Sequence, residues 1–109
     1  MTEDDWQVAR VLKERLLSVG GHRVRKILVF GSRARGEAEP DSDLDVAVLV
    51  DRASRDLEKA LDDVAYQVMW DRDFSPVISL KVFGERPFGD AVREGLSFYR
   101  NVVREGVAL

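Results

Sequence analysis

Residues 31–50 read GSRARGEAEPDSDLDVAVLV, and this stretch decides the fold that the sequence predicts. A tight turn that opens into a short helix begins at Gly31, and a polar loop follows it. The stretch ends in a strand over residues 43–50, whose two faces are apolar apart from Asp43 and Asp45. Because a strand that is apolar on both faces is typical of the interior of a sheet, we predict a central strand here.

Regular elements are predicted on both sides of this stretch. Upstream, apolar residues at helical spacing end at two glycines, which indicates an amphipathic helix followed by a short strand. Downstream, Ser54 is a suitable N-cap for a second helix. The order helix–strand–strand–helix–strand–helix predicts an α/β (α+β) fold, with a small mixed sheet backed by helices on one side. The predicted ranges are helices over residues 6–19, 54–70 and 88–104, with strands over residues 24–30 and 73–80.

Length and composition limit the function classes. The chain has 109 residues, is 45% hydrophobic and carries a net charge of −3, so we predict one domain over residues 1–109. The negative charge argues against direct nucleic-acid binding. The acidic start lacks the features of a signal peptide, and the longest apolar run, residues 46–50, is too short to span a bilayer. We expect a cytoplasmic protein without membrane contact.

The residue types available as metal ligands indicate that any bound metal is held by oxygen atoms. There is no cysteine and only one histidine, His22, so a bound metal would be held by oxygen, which favours magnesium, calcium or manganese. Asp43 and Asp45 are two residues apart on a strand, so their carboxylates point the same way. Magnesium with nucleotide phosphates would satisfy both. A third carboxylate from a neighbouring strand usually completes such a site, and Asp73 is the only acid on the predicted third strand.

Two other interpretations of the acidic run at residues 41–45 fit the sequence less well. A calcium loop of the EF-hand type needs glycine at its sixth position and glutamate at its twelfth, where this chain has Val46 and Arg52. A solvated turn without a ligand is disfavoured, because Asp45 leads into a strand that is expected to be buried. Burying an unpaired carboxylate costs free energy.

The pattern G-S-x-A-x-G, a short loop, and then S-D-x-D on an apolar strand resembles the nucleotidyltransferase fold shared with DNA polymerase β. The chain is also similar in length to the minimal nucleotidyltransferases, the antitoxin partners of HEPN-domain toxins. This resemblance implies that Gly31 and Ser32 bind the nucleotide triphosphate and that Asp43 and Asp45 bind magnesium (Mg²⁺). It further implies ATP as the donor and a tyrosine hydroxyl of a HEPN-domain toxin as the acceptor.

The sequence therefore predicts an enzyme that moves AMP from magnesium–ATP onto a hydroxyl and releases pyrophosphate. Two alternatives stay open. If Ser75 or Ser79 takes the place of the third acid, the enzyme would be weak or inactive, so the first alternative is a non-catalytic module that neutralises its partner by forming a complex. The acceptor could also be a small-molecule hydroxyl. The predicted catalytic and metal-binding residues are Asp43, Asp45 and Asp73, and the predicted nucleotide-binding residues are Gly31, Ser32, Arg33 and Ser42.

Overall fold

The computed structural model describes all residues, 1–109, as five helices, one 3-10 turn and four strands. The N-terminal helix packs against the sheet. The elements in chain order are α1 (Glu3–Gly20), a 3-10 turn (Gly21–Arg23), β1 (Val24–Phe30), α2 (Gly31–Arg35), β2 (Leu44–Val50), α3 (Arg55–Asp71), β3 (Ile78–Gly84), α4 (Glu85–Arg93), α5 (Ser97–Glu105) and β4 (Val107–Ala108).

The sheet has the strand order β3-β2-β1-β4. β1 is antiparallel to both β2 and β4, and β2 is parallel to β3. The parallel pair requires a crossover, because the chain must return to the other end of the sheet before β3 begins, and α3 supplies it. The predicted mixed sheet and the central position of β2 are confirmed.

Both long helices begin at side-chain caps. Thr2 Oγ1 accepts from the backbone N–H of Asp5, while an Asp5 carboxylate oxygen accepts from the backbone N–H of Thr2, each at 3.1 Å. Ser54 Oγ accepts from the backbone N–H of Leu57 at 3.2 Å, as predicted for the start of α3. These bonds satisfy amide donors that have no partner within the helix.

The larger core lies on the face of the sheet covered by α1 and α3. It takes alternate residues of β2 and one apolar stripe from each helix, as the period of two in strands and 3.6 in helices requires. None of the helices combines the length and the hydropathy needed to cross a membrane. The buried residues that β2 and the two helices contribute to this core are Val8, Ala9, Leu12, Leu16, Leu44, Val46, Val48, Val50, Leu57, Leu61, Ala65 and Val68.

The opposite face of the sheet is covered as well, so the prediction that helices lie on one side only is wrong. Leu28, Ala47 and Leu49 pack there against Phe88 of α4 and Val102 of α5. The physical reason is visible in β2, because both of its faces are apolar beyond Asp45 and both require cover. The side that carries Asp45 is therefore a partly filled face with its own small core.

The C-terminal half differs from the prediction in three further respects. The third strand starts at Ile78 rather than residue 73, and Asp73 and Phe74 form a turn in which both have positive φ, 53° and 55°. The predicted single last helix is two helices, separated at Gly95, whose φ of 82° is left-handed. The two-residue strand β4 was not predicted, since so short a segment carries no periodicity.

Candidate active site

Asp43 and Asp45 stand at the start of the central strand β2, where the sequence places them. Asp43 is exposed and immediately precedes the strand, whereas Asp45 is half-buried within it. Asp45 is paired with Phe30 of β1 on one side and with Ser79 of β3 on the other. Its carboxylate therefore has a strand on each side, on the face opposite the larger core.

Gly31 approaches Asp45 more closely than any other residue type could. Its φ is +76°, and a Cβ placed on it would overlap Asp45 Oδ2 and lie 3.2 Å from Asp45 Cγ. Both the left-handed backbone and the close approach exclude a side chain. Ser32, partly buried in the first turn of α2, follows directly. The predicted glycine–serine turn and the predicted acids are thus brought together.

The surroundings of Asp45 disfavour the charged form of its carboxylate. The pKa of Asp45 is raised, mainly because burial disfavours its charged form and secondly because the negative charge of Asp43 repels it. The positive charges of Lys81 and Arg35 act in the opposite direction on this pKa. The site is therefore short of positive charge at its centre.

The third acid is not where the sequence predicts it. Asp73 lies in the turn before β3, outside the strand, because the left-handed backbone at residues 73 and 74 delays the start of β3. The chain contains no group of three or more acids or histidines arranged to hold a metal ion. Next to Asp45, β3 instead presents Ser79, followed on the same face by Lys81 opposite Ala47.

Arg33, predicted to bind the nucleotide, is already engaged within the protein. Its guanidinium donates to Asp5 Oδ1 at 2.8 Å and to the backbone carbonyl of Ser42 at 2.7 and 2.9 Å, with a longer bond to the carbonyl of Pro40 at 3.3 Å. The side chains of Arg33 and Asp5 are only 11% and 3% exposed. Arg33 thus holds the loop between α2 and β2 against the start of α1.

Ser42, also predicted to bind the nucleotide, shapes the same loop. Its hydroxyl accepts from the backbone N–H of Glu39 at 3.0 Å, and its carbonyl accepts from Arg33. Sequence reasoning missed Asp5, which is the one buried charged residue of the chain. The available signal was the spacing Thr2-x-x-Asp5, which is typical of a capping box and marks Asp5 as a structural residue.

Arg35 is the second cation on α2 and is also paired. It donates to Glu37 and to Glu105 of α5, each at 3.0 Å. These partners raise the pKa of the already basic guanidinium, led by the hydrogen bond with Glu37. Arg35 consequently joins α2 to α5. Because its charge is paired with Glu37 and Glu105, it offsets little of the negative charge of Asp43 and Asp45.

The residues present fit one hard divalent cation. Asp43 and Asp45 offer two carboxylates at the start of β2, near enough for the charge of Asp43 to act on Asp45, and a cation held by both would offset this repulsion. Magnesium characteristically takes one or two carboxylates and fills its other positions with water and phosphate oxygens. The donor set does not provide a three-carboxylate centre, because Asp73 is elsewhere and Lys81 cannot ligate a metal.

Comparisons with known proteins identify the family of the chain. Residues 7–107 match the family model described as nucleotidyltransferase domain. The chain is 32% identical, over 87 residues, to a protein of Methanocaldococcus jannaschii named as a protein adenylyltransferase, covering 80% of this chain and 79% of that protein.

Two solved structures share the fold. One, named as a minimal nucleotidyltransferase, superposes with a TM-score of 0.58 at 26% identity and covers 100% of both chains. The other is the toxin–antitoxin MntA–HpeT in a mutant form, with a TM-score of 0.58, 19% identity and coverage of 100% of this chain and 72% of that one. The second similarity concerns the fold alone.

Proposed function

The chain belongs to the nucleotidyltransferase domain family and is a nucleotidyltransferase, and from this we propose that it transfers AMP from magnesium–ATP to a hydroxyl of a partner protein. The relative named as a protein adenylyltransferase supports both the donor and the class of acceptor. The fold shared with a toxin–antitoxin complex supports a toxin as the partner. We propose a tyrosine of a HEPN-type toxin as the acceptor and the cytoplasm as the location.

One observation carries this proposal. The carboxylate of Asp43, the residue before the central strand, lies near enough for its charge to act on Asp45. The bare Cα of Gly31 lies directly against Asp45. The negative charge of the half-buried Asp45, beside that of the exposed Asp43, is disfavoured unless a cation joins the two carboxylates. Close acids beside a bare glycine do not stabilise the fold, whereas a metal–nucleotide site needs carboxylates for the cation and space for the phosphates.

Each residue of the site has a defined task in the proposed reaction. Asp43 and Asp45 would hold the magnesium, which would offset the negative charge of the phosphates and of the departing pyrophosphate. Gly31 leaves room beside Asp45 for the phosphates, and Ser32 offers its hydroxyl to their oxygens. Arg33 acts indirectly, because it fixes the loop that leads into Asp43.

The proposed transfer is balanced as a displacement at the α-phosphorus. The acceptor hydroxyl oxygen bonds to this phosphorus, the bond from phosphorus to the pyrophosphate oxygen breaks, and the hydroxyl proton passes to solvent. The rate enhancement comes from placing the two reactants together and from offsetting the charge that develops.

The test is the intact mass of the partner toxin after incubation with this chain and magnesium–ATP. We expect a gain of one or more AMP units, which is lost in the double variant Asp43→Asn/Asp45→Asn. Asp41→Asn is the matched control, because Asp41 is an exposed acid of the same run that precedes β2. Full transfer by the double variant would contradict the proposed site.

The non-catalytic alternative has one observation in its favour, namely the missing third carboxylate. Under that alternative the chain neutralises its partner by complex formation alone. Toxin neutralisation that persists unchanged in the double variant, together with no mass gain in the partner for the wild type, would favour it. Neutralisation that disappears with the mass gain would favour transfer.

A further inference from the structure

Lys81 lies on the face of β3 that borders the acid pair. In the parallel register, Asp45 is opposite Ser79 and Ala47 is opposite Lys81. Since side chains two residues apart share a face, Ser79 and Lys81 are on the side of the sheet that carries Asp45. β3 is at the edge of the sheet, and Lys81 is exposed. Its ammonium is therefore accessible to a ligand bound at the acids.

The ammonium of Lys81 extends back toward Asp45. Its Nζ lies 3.5 Å from Ser79 Oγ, and Ser79 is the direct neighbour of Asp45. The charge of Lys81 is thus directed to the face of the acid pair.

Lys81 also differs from the two arginines near the site. Arg33 is hydrogen-bonded to Asp5 and to backbone carbonyls, and Arg35 is paired with Glu37 and Glu105. Lys81 forms no salt bridge with any carboxylate of the chain. Among these three cations, it alone keeps its charge unpaired.

The positive charge of Lys81 changes how the site can offset the negative charge of a bound nucleotide. A third carboxylate would call for additional positive charge, in the form of a second metal ion. An ammonium instead adds positive charge and three hydrogen-bond donors, which match phosphate oxygens. With one divalent ion on two carboxylates, the triphosphate still carries excess negative charge, and Lys81 is placed to offset it.

We propose that Lys81 donates to the phosphate oxygens of the bound nucleotide and that the site operates with one divalent ion on Asp43 and Asp45. This inference rests on the proposed function, since it assigns a residue to the same site. It makes Lys81 a substrate-binding residue on the strand that was expected to supply a third carboxylate. It also explains how a chain without a third carboxylate can still bind a nucleoside triphosphate.

The first experiment is calorimetric binding of a non-hydrolysable ATP analogue in the presence of magnesium. We expect Lys81→Ala to bind about tenfold more weakly than the wild type, as loss of a charge-assisted hydrogen bond implies. Lys81→Arg should retain most of the affinity. Lys59→Ala is the matched control, because it removes an exposed lysine of α3.

The outcomes separate the two proposals. Wild-type binding with unchanged affinity in Lys81→Ala would overturn the role of Lys81 and leave the proposed function intact. If the wild type binds no nucleotide, both proposals fail. Because Lys81 is exposed, its replacement should leave the unfolding midpoint unchanged, which is checked by thermal unfolding.

A second experiment counts metal ions. Titration of Mn²⁺ into the complex with the analogue, followed by electron paramagnetic resonance of free Mn²⁺, should give one tightly bound ion per wild-type chain. Lys81→Asp, which places an acid on this face of β3, should bind additional Mn²⁺. Two tightly bound ions in the wild type would overturn the one-ion part of the proposal.

Discussion

Gly31 and Asp45 face each other so closely that a methyl group on Gly31 would overlap the Asp45 carboxylate. The contact arises because Phe30, the residue before Gly31, pairs directly with Asp45 across β1 and β2. The turn that begins at Gly31 therefore lies directly against Asp45, fourteen positions later in the chain. This contact can be tested separately from backbone strain.

Gly31→Ala should abolish binding of the magnesium–nucleotide complex. The added Cβ must displace the Asp45 carboxylate, and Gly31 also has a left-handed φ of +76°, which costs an alanine about 1–2 kcal/mol. Calorimetric binding of the ATP analogue measures the first effect and urea unfolding measures the second.

Gly36→Ala is the matched control for this prediction. Gly36 has a similar φ of +74°, but nothing lies within 4 Å of a Cβ built on it. We expect a comparable loss of stability with nucleotide binding preserved. Equal loss of binding in the two variants would show that the contact with Asp45 is unimportant.

Asp45→Asn should stabilise the metal-free protein at neutral pH. The folded-state pKa of Asp45 is raised by burial and by Asp43, so its ionisation opposes folding. This penalty is absent below the unfolded pKa, about 3.9, and reaches its full size as the pH rises through the folded pKa. Urea unfolding with a chelator should show a more stable variant at neutral pH and little difference near pH 3.

The same variant should lose the stabilisation that the ligand gives. Magnesium with the ATP analogue should raise the unfolding midpoint of the wild type, because a ligand that binds only the folded state favours it. Asp45→Asn should show a smaller rise. A variant that is less stable than the wild type without metal would contradict the assigned cause of the pKa shift.

Arg33→Ala should destabilise the protein by about 3 kcal/mol, because it leaves the buried carboxylate of Asp5 without its partner. It also removes the bonds that hold the carbonyls of Ser42 and Pro40. Chemical denaturation gives the change in unfolding free energy. Nucleotide binding should weaken as well, since the loop before Asp43 loses its anchor.

An exposed ion pair provides the contrast for Arg33. Lys59 and Asp63 are joined at 3.0 Å with side chains 77% and 66% exposed, and such pairs contribute less than about 1 kcal/mol. Lys59→Ala should therefore change stability only slightly. A similar small effect for Arg33→Ala would mean that burial of the Arg33–Asp5 pair has no energetic importance.

Phe88→Ala should destabilise the fold by about 3–5 kcal/mol, as for other buried aromatic residues. Phe88 is 4% exposed and contacts Phe83 and Tyr99, with ring centroids 5.4 and 5.3 Å apart. The measurement is again the unfolding free energy. A loss below 1 kcal/mol would indicate that α4 does not need the second core to remain folded.

The sequence predicted best where a local pattern determines the structure. The apolar run after Asp45 indicated a central strand, and the strand order confirms it. Ser54 marked the beginning of α3 correctly. These features depend on neighbouring residues only, so one chain is sufficient to predict them.

Features that depend on distant partners were not predictable in this way. The direction of the Arg33 guanidinium is set by Asp5, 28 positions away, and no local pattern reports it. The positive φ of Asp73 and Phe74 occurs without glycine, and the only sequence signal that this strand is irregular was Pro76. The division of the last helix did have a signal in Gly95, since glycine commonly follows a helix end.

Asp5 takes part in both the first turn of α1 and the loop that precedes the acid pair. Helix ends open and close more readily than the interior of a domain. Each time this first turn frays, the anchor of Arg33 is released at the same moment. Amide hydrogen exchange in the first turn of α1 and in residues 36–42 should therefore proceed at correlated rates. The order of the loop before Asp43 then depends on how often the first turn of α1 opens.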